Sequence, residues 1–339
     1  MVKTGLQSHI DYEGIMQTAK YNFEAASGRK EGKLRFHHAF VDMERICNLA
    51  CHGCFQFMDR DRTRKKLSYE EIKYIIDFAK EREADIIIIA GAGEPTLDPD
   101  FKKIVDYIKS KEMLSVVFTN GSTLDEELAN FLFDHAVSPI IKKFAVDFEK
   151  QDYLIGRQGI SKRMQRGLEI LLKIKKQREK EGKQISEIGI DCYISRENIK
   201  DISGVLRYCR NNQLVPYIEA FIATGQAATA SQLALPQQEL NRLFEHLAEI
   251  DRDEYGILTP LKTGARTYGG EPCIKGKAGF AVHTDGTVLE CVNGRYVFGN
   301  IRDRSLKEIF DLNDPEIRRY YSSIPCLGCQ CSGVYTDGK

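Results

Sequence analysis

The sequence predicts an α/β fold built on a parallel sheet, followed by a small C-terminal unit of different design. Three observations carry this. Six β-like runs alternate with helical patterns between residues 37 and 225, and such alternation reads as a parallel sheet with crossover helices outside it. The alternation stops near 224, where ATGQAATASQLALPQQ (223–238) reads as a linker. Beyond it, AGFAVHTDGTVLEC (278–291) places two β-like runs around Asp285-Gly286, a hairpin signal. The chain then divides into an N-terminal arm or helix (1–36), the β-α array (37–225), a linker and helix (226–262) and a C-terminal domain (263–339).

The elements follow in order. The strand candidates are 37–44, 84–91, 114–121, 140–148, 188–195 and 216–223. Helical patterns occupy 67–81, 98–111, 123–135, 163–181 and 199–212, with apolar residues recurring at three- and four-residue spacing. Ser68 and Glu71 form a capping box at the first of them. A further helix is read at 236–251, then a glycine- and turn-rich stretch at 261–272, and a short helix at 305–311 with its own Ser305/Glu308 box. The count of six units alone does not separate a partial barrel from a flat, doubly wound sheet.

Composition bounds the function. The chain has 339 residues, 42% apolar and 29% charged, with 49 basic and 49 acidic side chains. Zero net charge provides no global field for nucleic acid or anionic lipid, so neither partner is expected. The N-terminus has no apolar core of signal-peptide length, and the run IIIIAGAG (86–93) is far short of a membrane span. A cytoplasmic location is expected, where thiols stay reduced. Ten cysteines there are ligands, nucleophiles or core fillers rather than disulfides. Three lie at 47–54 and five at 273, 291, 326, 329 and 331, while Cys192 and Cys209 stand apart.

RICNLACHGCF (45–55) crowds Cys47, Cys51 and Cys54 directly after a strand. A zinc loop would want four ligands, usually as two close pairs. Three thiols spaced C-x3-C-x2-C can instead cap three irons of a four-iron cluster and leave the fourth open. This motif, with Phe55 after it, resembles the signature of the radical S-adenosylmethionine (radical SAM) superfamily. GAGEP (91–95) is similar to the family's G-G-E-P turn, with Ala92 in place of one glycine. The resemblance implies that Gly91, Ala92, Gly93, Glu94 and Pro95 help hold SAM, that Thr119 and Asn120 of FTNGS (118–122) lie by its ribose, and that Ser195 and Arg196 of YISREN (193–198) add polar contacts. It also implies a partial (β/α)6 TIM-like barrel, with the site at the strand C-termini. SAM bound to the open iron would be cleaved on reduction to a 5′-deoxyadenosyl radical that abstracts hydrogen from substrate.

In the second group, Cys273 is followed by twelve residues, Gly286, four residues and Cys291. A hairpin brings the two thiols to its open end. PCLGCQC (325–331) adds Cys326, Cys329 and Cys331. The set, with GNIRDRSLKEIF (299–310), resembles the SPASM domain and its shortened twitch form. Five cysteines stand where a full SPASM domain uses seven or eight. The resemblance therefore implies one auxiliary 4Fe-4S cluster on Cys273, Cys291, Cys326 and Cys329, with Cys331 a substitute ligand, a redox group or a bystander. The plainer reading is a structural zinc site. A fully ligated cluster suits electron transfer, which implies a two-electron oxidation of substrate.

Other features have duller readings. RDRTRKK (60–66) is a solvated loop or a docking patch for the reduced flavodoxin or ferredoxin that delivers the electron. Cys192 and Cys209 read as core, with Cys192 an alternative hydrogen donor to a substrate radical. His52 sits in the cysteine loop, as a cluster-tuning group or an exposed one. Tyr268, Glu271, Asp147 and Glu219 are candidates to line a substrate cavity. About 36 residues precede the array, too few for a peptide-binding domain. The expected substrate is accordingly a small polar metabolite of sugar or aminocyclitol type. The alternatives are a ribosomal peptide receiving thioether or carbon–carbon crosslinks, a redox-neutral epimerisation, and a zinc-stabilised scaffold without activity.

Overall fold

The computed structural model describes residues 4–54, 66–91, 93–223, 225–262, 264–294 and 296–323. Two helices open the chain, α1 (Gly5–His9) and α2 (Tyr12–Ala26), where one short helix and an arm were expected. Six strands follow: β1 (His38–Val41), β2 (Ile86–Ile89), β3 (Leu114–Thr119), β4 (Val137–Lys142), β5 (Gly189–Ile194) and β6 (Val215–Ala220). Between them run α3 (Tyr69–Glu81), α4 (Phe101–Ser110), α5 (Glu126–Asp134), α6 (Phe148–Ile155), α7 (Ile160–Lys180) and α8 (Ile202–Asn211). All six strands are parallel, each beside its sequence neighbour. That order settles the architecture. A doubly wound sheet reverses its strand order partway, whereas sequential right-handed crossovers place every helix on one face and curl the sheet into a partial barrel.

Strand alternation then sorts the side chains. Ile87, Ile89, Val117, Ile141, Ile190 and Cys192 pack into the layer between sheet and helices. Phe40, Ile86, Ile88, Val116 and Ile140 form a second, interior cluster, closed by Leu6 of α1. The four isoleucines of β2 are all buried, as a strand covered on both faces requires. Helix α1 packs against β2, β3 and β4. At Gly5 an added Cβ would lie 2.3 Å from the Ser115 carbonyl oxygen, so only glycine lets the helix come that close.

The fourth strand candidate, 140–148, is displaced. Past Lys142, Lys143 N–H still donates to Asp191 O (2.9 Å), and the sheet pairing stops there because Gln151 Oε1 accepts the two donors that follow, Phe144 N–H (2.8 Å) and Ala145 N–H (2.9 Å). Asp147 then caps α6, a helix the periodicity did not show, by accepting from Lys150 N–H at 2.8 Å.

Beyond α9 (Gln237–Tyr255), the turn-rich stretch does more than turn. Thr267 bridges Glu219 in antiparallel fashion, Tyr268 N–H donates to Ile218 O (2.8 Å), and Ala220 N–H donates to Arg266 O (2.7 Å). The chain thus pairs with the free edge of β6. It runs on through α10 (Lys275–Ala278) into β7 (Gly279–Val282), which pairs in parallel with β1, the opposite edge of the barrel. Strand β8 (Thr287–Leu289) completes the expected hairpin, and β9 (Val297–Asn300), not foreseen, extends it. The small domain is therefore the continuation of one nine-stranded sheet, β6-β5-β4-β3-β2-β1-β7-β8-β9.

Helices α11 (Leu306–Ile309) and α12 (Pro315–Tyr321) close the domain. Both predicted capping boxes form, at Ser68/Glu71 and Ser305/Glu308. Glu71 also binds Arg302 (2.8 Å), and Tyr74 Oη accepts from Leu306 N–H (2.7 Å), fastening the C-terminal unit to α3. Asp251, fully buried, accepts from Arg210 Nε (2.7 Å) and Nη2 (2.6 Å), from Thr259 Oγ1 (2.7 Å) and from Tyr268 Oη (2.8 Å). It anchors the stretch that laces the barrel. Among the described residues no helix is long and apolar enough to cross a membrane.

Two measurements check this account. Asp251→Ala strands a half-buried guanidinium and two hydroxyls, and should cost about 3 kcal/mol in denaturant-induced unfolding; a loss below about 0.5 kcal/mol would contradict the anchoring role. The Arg302 hydrogen bond holds the Glu71 carboxyl near 2, below its ordinary 4.5. A depressed acid contributes stability above its unfolded value and loses it as pH falls toward its folded one. The advantage of wild type over Glu71→Gln in unfolding midpoint should therefore be full above about 4.5 and fade as pH falls toward about 2.

Candidate active site

The C-terminal ends of the strands surround a cavity of about 470 Å³. Cys47, Cys51 and Cys54 line it from the loop after β1, and Cys273 and Cys291 line it from the C-terminal part. Cys326, Cys329 and Cys331 lie outside the described residues, as do Phe55, Ala92 and residues 60–65 of the basic run.

The cysteine loop is built by backbone bonds. Glu44 Oε1 accepts from Arg45 N–H (2.7 Å) and Ile46 N–H (3.0 Å), turning the chain as it leaves β1. Ala50 N–H donates to Ile155 O (2.9 Å) and His52 N–H to Leu154 O (3.0 Å), which sews the loop to the end of α6. Gly156, in the left-handed region at φ +63°, permits this approach; a Cβ there would lie 2.3 Å from Ala50 O. His52 is held at the rim by Glu197 (3.3 Å) and packs edge-on against Tyr153.

The thiols fit an iron–sulfur cluster. Among the described residues no three His, Cys, Asp or Glu side chains converge closely enough to hold a single ion. Thiols spread around one cavity suit several irons, each taking one thiolate, better than one zinc. Burial pushes the Cys47 thiol up to about 11, although Leu49 N–H (3.4 Å) and the Asn120 amide favour its thiolate. Burial pushes Cys51 higher still. Alone, these thiols keep their protons at neutral pH; ligation of a cationic centre removes them.

Beside the loop, the 91–95 turn is shaped by contact. A Cβ on Gly93 would lie 2.4 Å from Glu44 O, and Glu94 N–H donates to Ile46 O at 2.9 Å. Glu94 itself is buried and saturated. It accepts from Thr96 Oγ1 (2.6 Å), Thr119 Oγ1 (2.5 Å) and Asn120 N–H (2.7 Å). Burial nonetheless raises its carboxyl above the ordinary range. Gly91, Gly93, Glu94, Thr119 and Asn120 all reach the cavity, but the carboxylate of Glu94 positions its neighbours rather than facing a ligand.

Sequence reasoning missed the partners of Asn120. Its Nδ2 donates to Asn48 Oδ1 (2.8 Å), and Asn48 Nδ2 donates to Ser122 Oγ (2.7 Å), so β3 grips the cysteine loop. The only sequence signal was a polar residue beside Cys47.

Three of the named residues lie away from the cavity, Cys192 in keeping with the first of its two readings. Cys192 falls on the outward face of β5, fully buried between sheet and helices, so it fills core and does not face the cavity. Ser195 is also fully buried, its hydroxyl turned to Asn198 Oδ1 (3.1 Å). Arg196 pairs with Glu239 (3.3 Å) at the surface, and neither residue lines the cavity. Among the substrate candidates, Glu219, Tyr268 and Glu271 do line it, and Asp147 is spent as a helix cap.

The inward faces of β4, β5 and β6 place charged groups in a cavity whose lining is otherwise mostly apolar. Lys142 and Asp191 form an ion pair inside it. Against the effect of burial, Asp191 holds Lys142 above the usual lysine range. Burial and then the neighbouring Asp191 push Glu219 up to about 8. His9, on α1, reaches the cavity from below and accepts from Lys275 Nζ at Nε2 (3.3 Å); burial and Lys275 keep this imidazole neutral.

Comparisons with known proteins agree with this geometry. Residues 43–178 match the profile described as radical SAM superfamily, and residues 273–331 match the SPASM iron–sulfur cluster-binding domain. The chain is 29% identical to the Fe-coproporphyrin III synthase of Methanosarcina barkeri over 164 residues, 48% of this chain and 38% of that protein. It is 24% identical to the tungsten-containing aldehyde ferredoxin oxidoreductase cofactor-modifying protein of Pyrococcus furiosus, over 80% of each. In fold it is similar to Streptococcus suis SuiB bound to precursor peptide SuiA, with a TM-score of 0.65 at 17% identity, covering 94% of this chain and 75% of that one.

Removing the carboxylate that joins the turn to β3 should loosen the loop. Glu94→Ala is expected to weaken iron retention about tenfold or more, measured by chelator competition after anaerobic reconstitution. Retention equal to wild type would show that the carboxylate does not support the site.

Proposed function

The chain carries a radical SAM domain and a SPASM domain, and we propose that it is a radical SAM enzyme that oxidises a polar substrate by two electrons inside the shared cavity. The observation that supports this is that cysteines of both groups line one cavity. When bound, SAM and a cluster on Cys47, Cys51 and Cys54 supply a hydrogen-abstracting 5′-deoxyadenosyl radical, and an auxiliary cluster on Cys273, Cys291, Cys326 and Cys329 supplies an electron acceptor. The net change at the substrate is loss of one hydrogen atom, one proton and one electron.

The chain's own residues have separable tasks. The backbone of Gly91 and Gly93 and the side chains of Thr119 and Asn120 would seat SAM beside the first three thiols, with Pro95 buried behind the turn. The β-strand interior would bind substrate through Lys142–Asp191 and Glu219. Lysines and carboxylates so enclosed favour a small polar metabolite. A peptide that inserts one residue is the second reading, in keeping with the fold shared with SuiB, which was solved with its precursor peptide. Epimerisation has less support, because Cys192, the hydrogen donor it would use, faces the core. Reduced flavodoxin or ferredoxin would provide the initiating electron.

Iron, sulfide and zinc per chain after anaerobic reconstitution test this. About eight irons in wild type should fall to about four when Cys47, Cys51 and Cys54 are all changed to alanine. About four falling to none, with zinc retained, would remove the acceptor and the oxidation with it. In Cys273→Ala, dithionite should still drive 5′-deoxyadenosine formation while oxidised product is lost; product at the wild-type rate would count against electron transfer through this group.

A further inference from the structure

Two ionisable side chains in the cavity, Glu219 and Lys275, lie in each other's field but form no contact ion pair among the described residues. Glu219 stands on the inward face of β6, and its carboxylate has no hydrogen-bond or ion-pair partner among the described residues; the nearby Lys142 is committed to Asp191. Lys275, half-buried at the start of α10, has no carboxylate within ion-pair distance among the described residues. Its ammonium donates to His9 Nε2 (3.3 Å) and Tyr217 Oη (3.5 Å), so one of its three protons is unspent. Tyr217 accepts from Lys275 and keeps its own hydroxyl proton to give. Two donors therefore converge where a carboxylate's two oxygens would sit.

Tyr217 and Glu219 are two residues apart on one strand and share a face. Their side chains leave the strand roughly 7 Å apart. An ammonium and a carboxylate on one carbon fill such a gap when a hydrogen bond of about 3 Å is added at each end. A neutral polyol would leave Glu219 protonated and Lys275 without a bound counter-charge, whereas a zwitterion supplies a partner at both ends.

We propose that Glu219 and the Lys275–Tyr217 pair form a two-point site for a zwitterionic substrate, an amino-acid unit that presents its ammonium to Glu219 and its carboxylate to Lys275. This rests on the cavity being the substrate site of the oxidation proposed above, and it narrows the polar substrate to one chemical class. It assigns His9 a positioning role, because its Nε2 fixes the direction of the Lys275 ammonium.

The test uses reconstituted holoenzyme at saturating SAM. The twenty amino acids and their dipeptides are titrated calorimetrically, each free, N-acetylated and as its methyl ester. At least one free zwitterion should bind, and either cap should weaken it about tenfold or more. In Glu219→Gln the acetyl penalty should vanish while the ester penalty persists; in Lys275→Met the reverse should hold. No binding of any zwitterion at millimolar concentration overturns the inference, as does a binder indifferent to both caps. An ester penalty unchanged in Lys275→Met also overturns it and makes the lysine a counter-ion for the adjacent thiolates. The wild-type capping comparison stands even if a variant fails to fold. Dithionite-driven 5′-deoxyadenosine formation, run alongside, separates the two levels: its absence sinks the radical SAM reading, whereas its presence without zwitterion binding sinks only this site.

Discussion

The pairing of β7 with β1 fixes where everything C-terminal must lie. A partial barrel has two edges, and an unpaired edge strand costs hydrogen bonds and invites association. Here β7 covers the β1 edge while Arg266–Tyr268 cover β6. One stretch of chain, 266 to 282, thus ties both edges, and Cys273 and Lys275 are carried into the interior because they lie between the two ties. Cys273 and Cys291 need no domain docking to reach the cavity, since the sheet itself delivers them.

Much of this was legible in the sequence, and the limits are physical. Six β-α units and two capping boxes came from periodicity and local hydrogen-bonding rules, which depend on near neighbours. C-x3-C-x2-C was legible because a loop's ligand set is also local. The edge pairing of β7 was not, because a strand's partner is decided by distant backbone and leaves no mark in its own alternation. For the same reason Thr267 and Tyr268 read as turn. Helix α6 starts where a strand candidate was read to end, and it went unseen because Gln151, a residue with no strong preference of its own, ends β4 by capturing two amide donors. Alternation could have excluded Cys192: β5 is buried on both faces, but Asp191 and Tyr193 claim the inward positions.

The interior shows how a barrel can hold charge. Asp191 and Lys142 face each other across adjacent strands, so the ion pair is set by register rather than by loop conformation. Glu219, on the next strand, meets the same field without sharing its partner. Placing functional groups on strands, with a helix plugging the floor, provides rigid geometry that loops cannot match. The side next to the cysteine loop differs. There the turn at 91–95, the 118–122 loop and the cysteine loop hold one another through Glu94, Asn48 and Asn120, a network in which each carboxylate and amide is already engaged.

The sheet order also bears on biogenesis. Strand β1 emerges early from the ribosome, yet its outer partner β7 follows roughly 240 residues later. Until then the β1 edge is open to intermolecular pairing, and contacts this distant in sequence form slowly. The first cysteine loop, most of whose backbone supports lie before residue 160, with Glu197 and Ala227 added later, can take shape during that wait. The nascent chain therefore passes through a stage with a formed cysteine loop and an uncovered strand. Chaperone supply and synthesis rate would govern its yield in cells more than the final stability does.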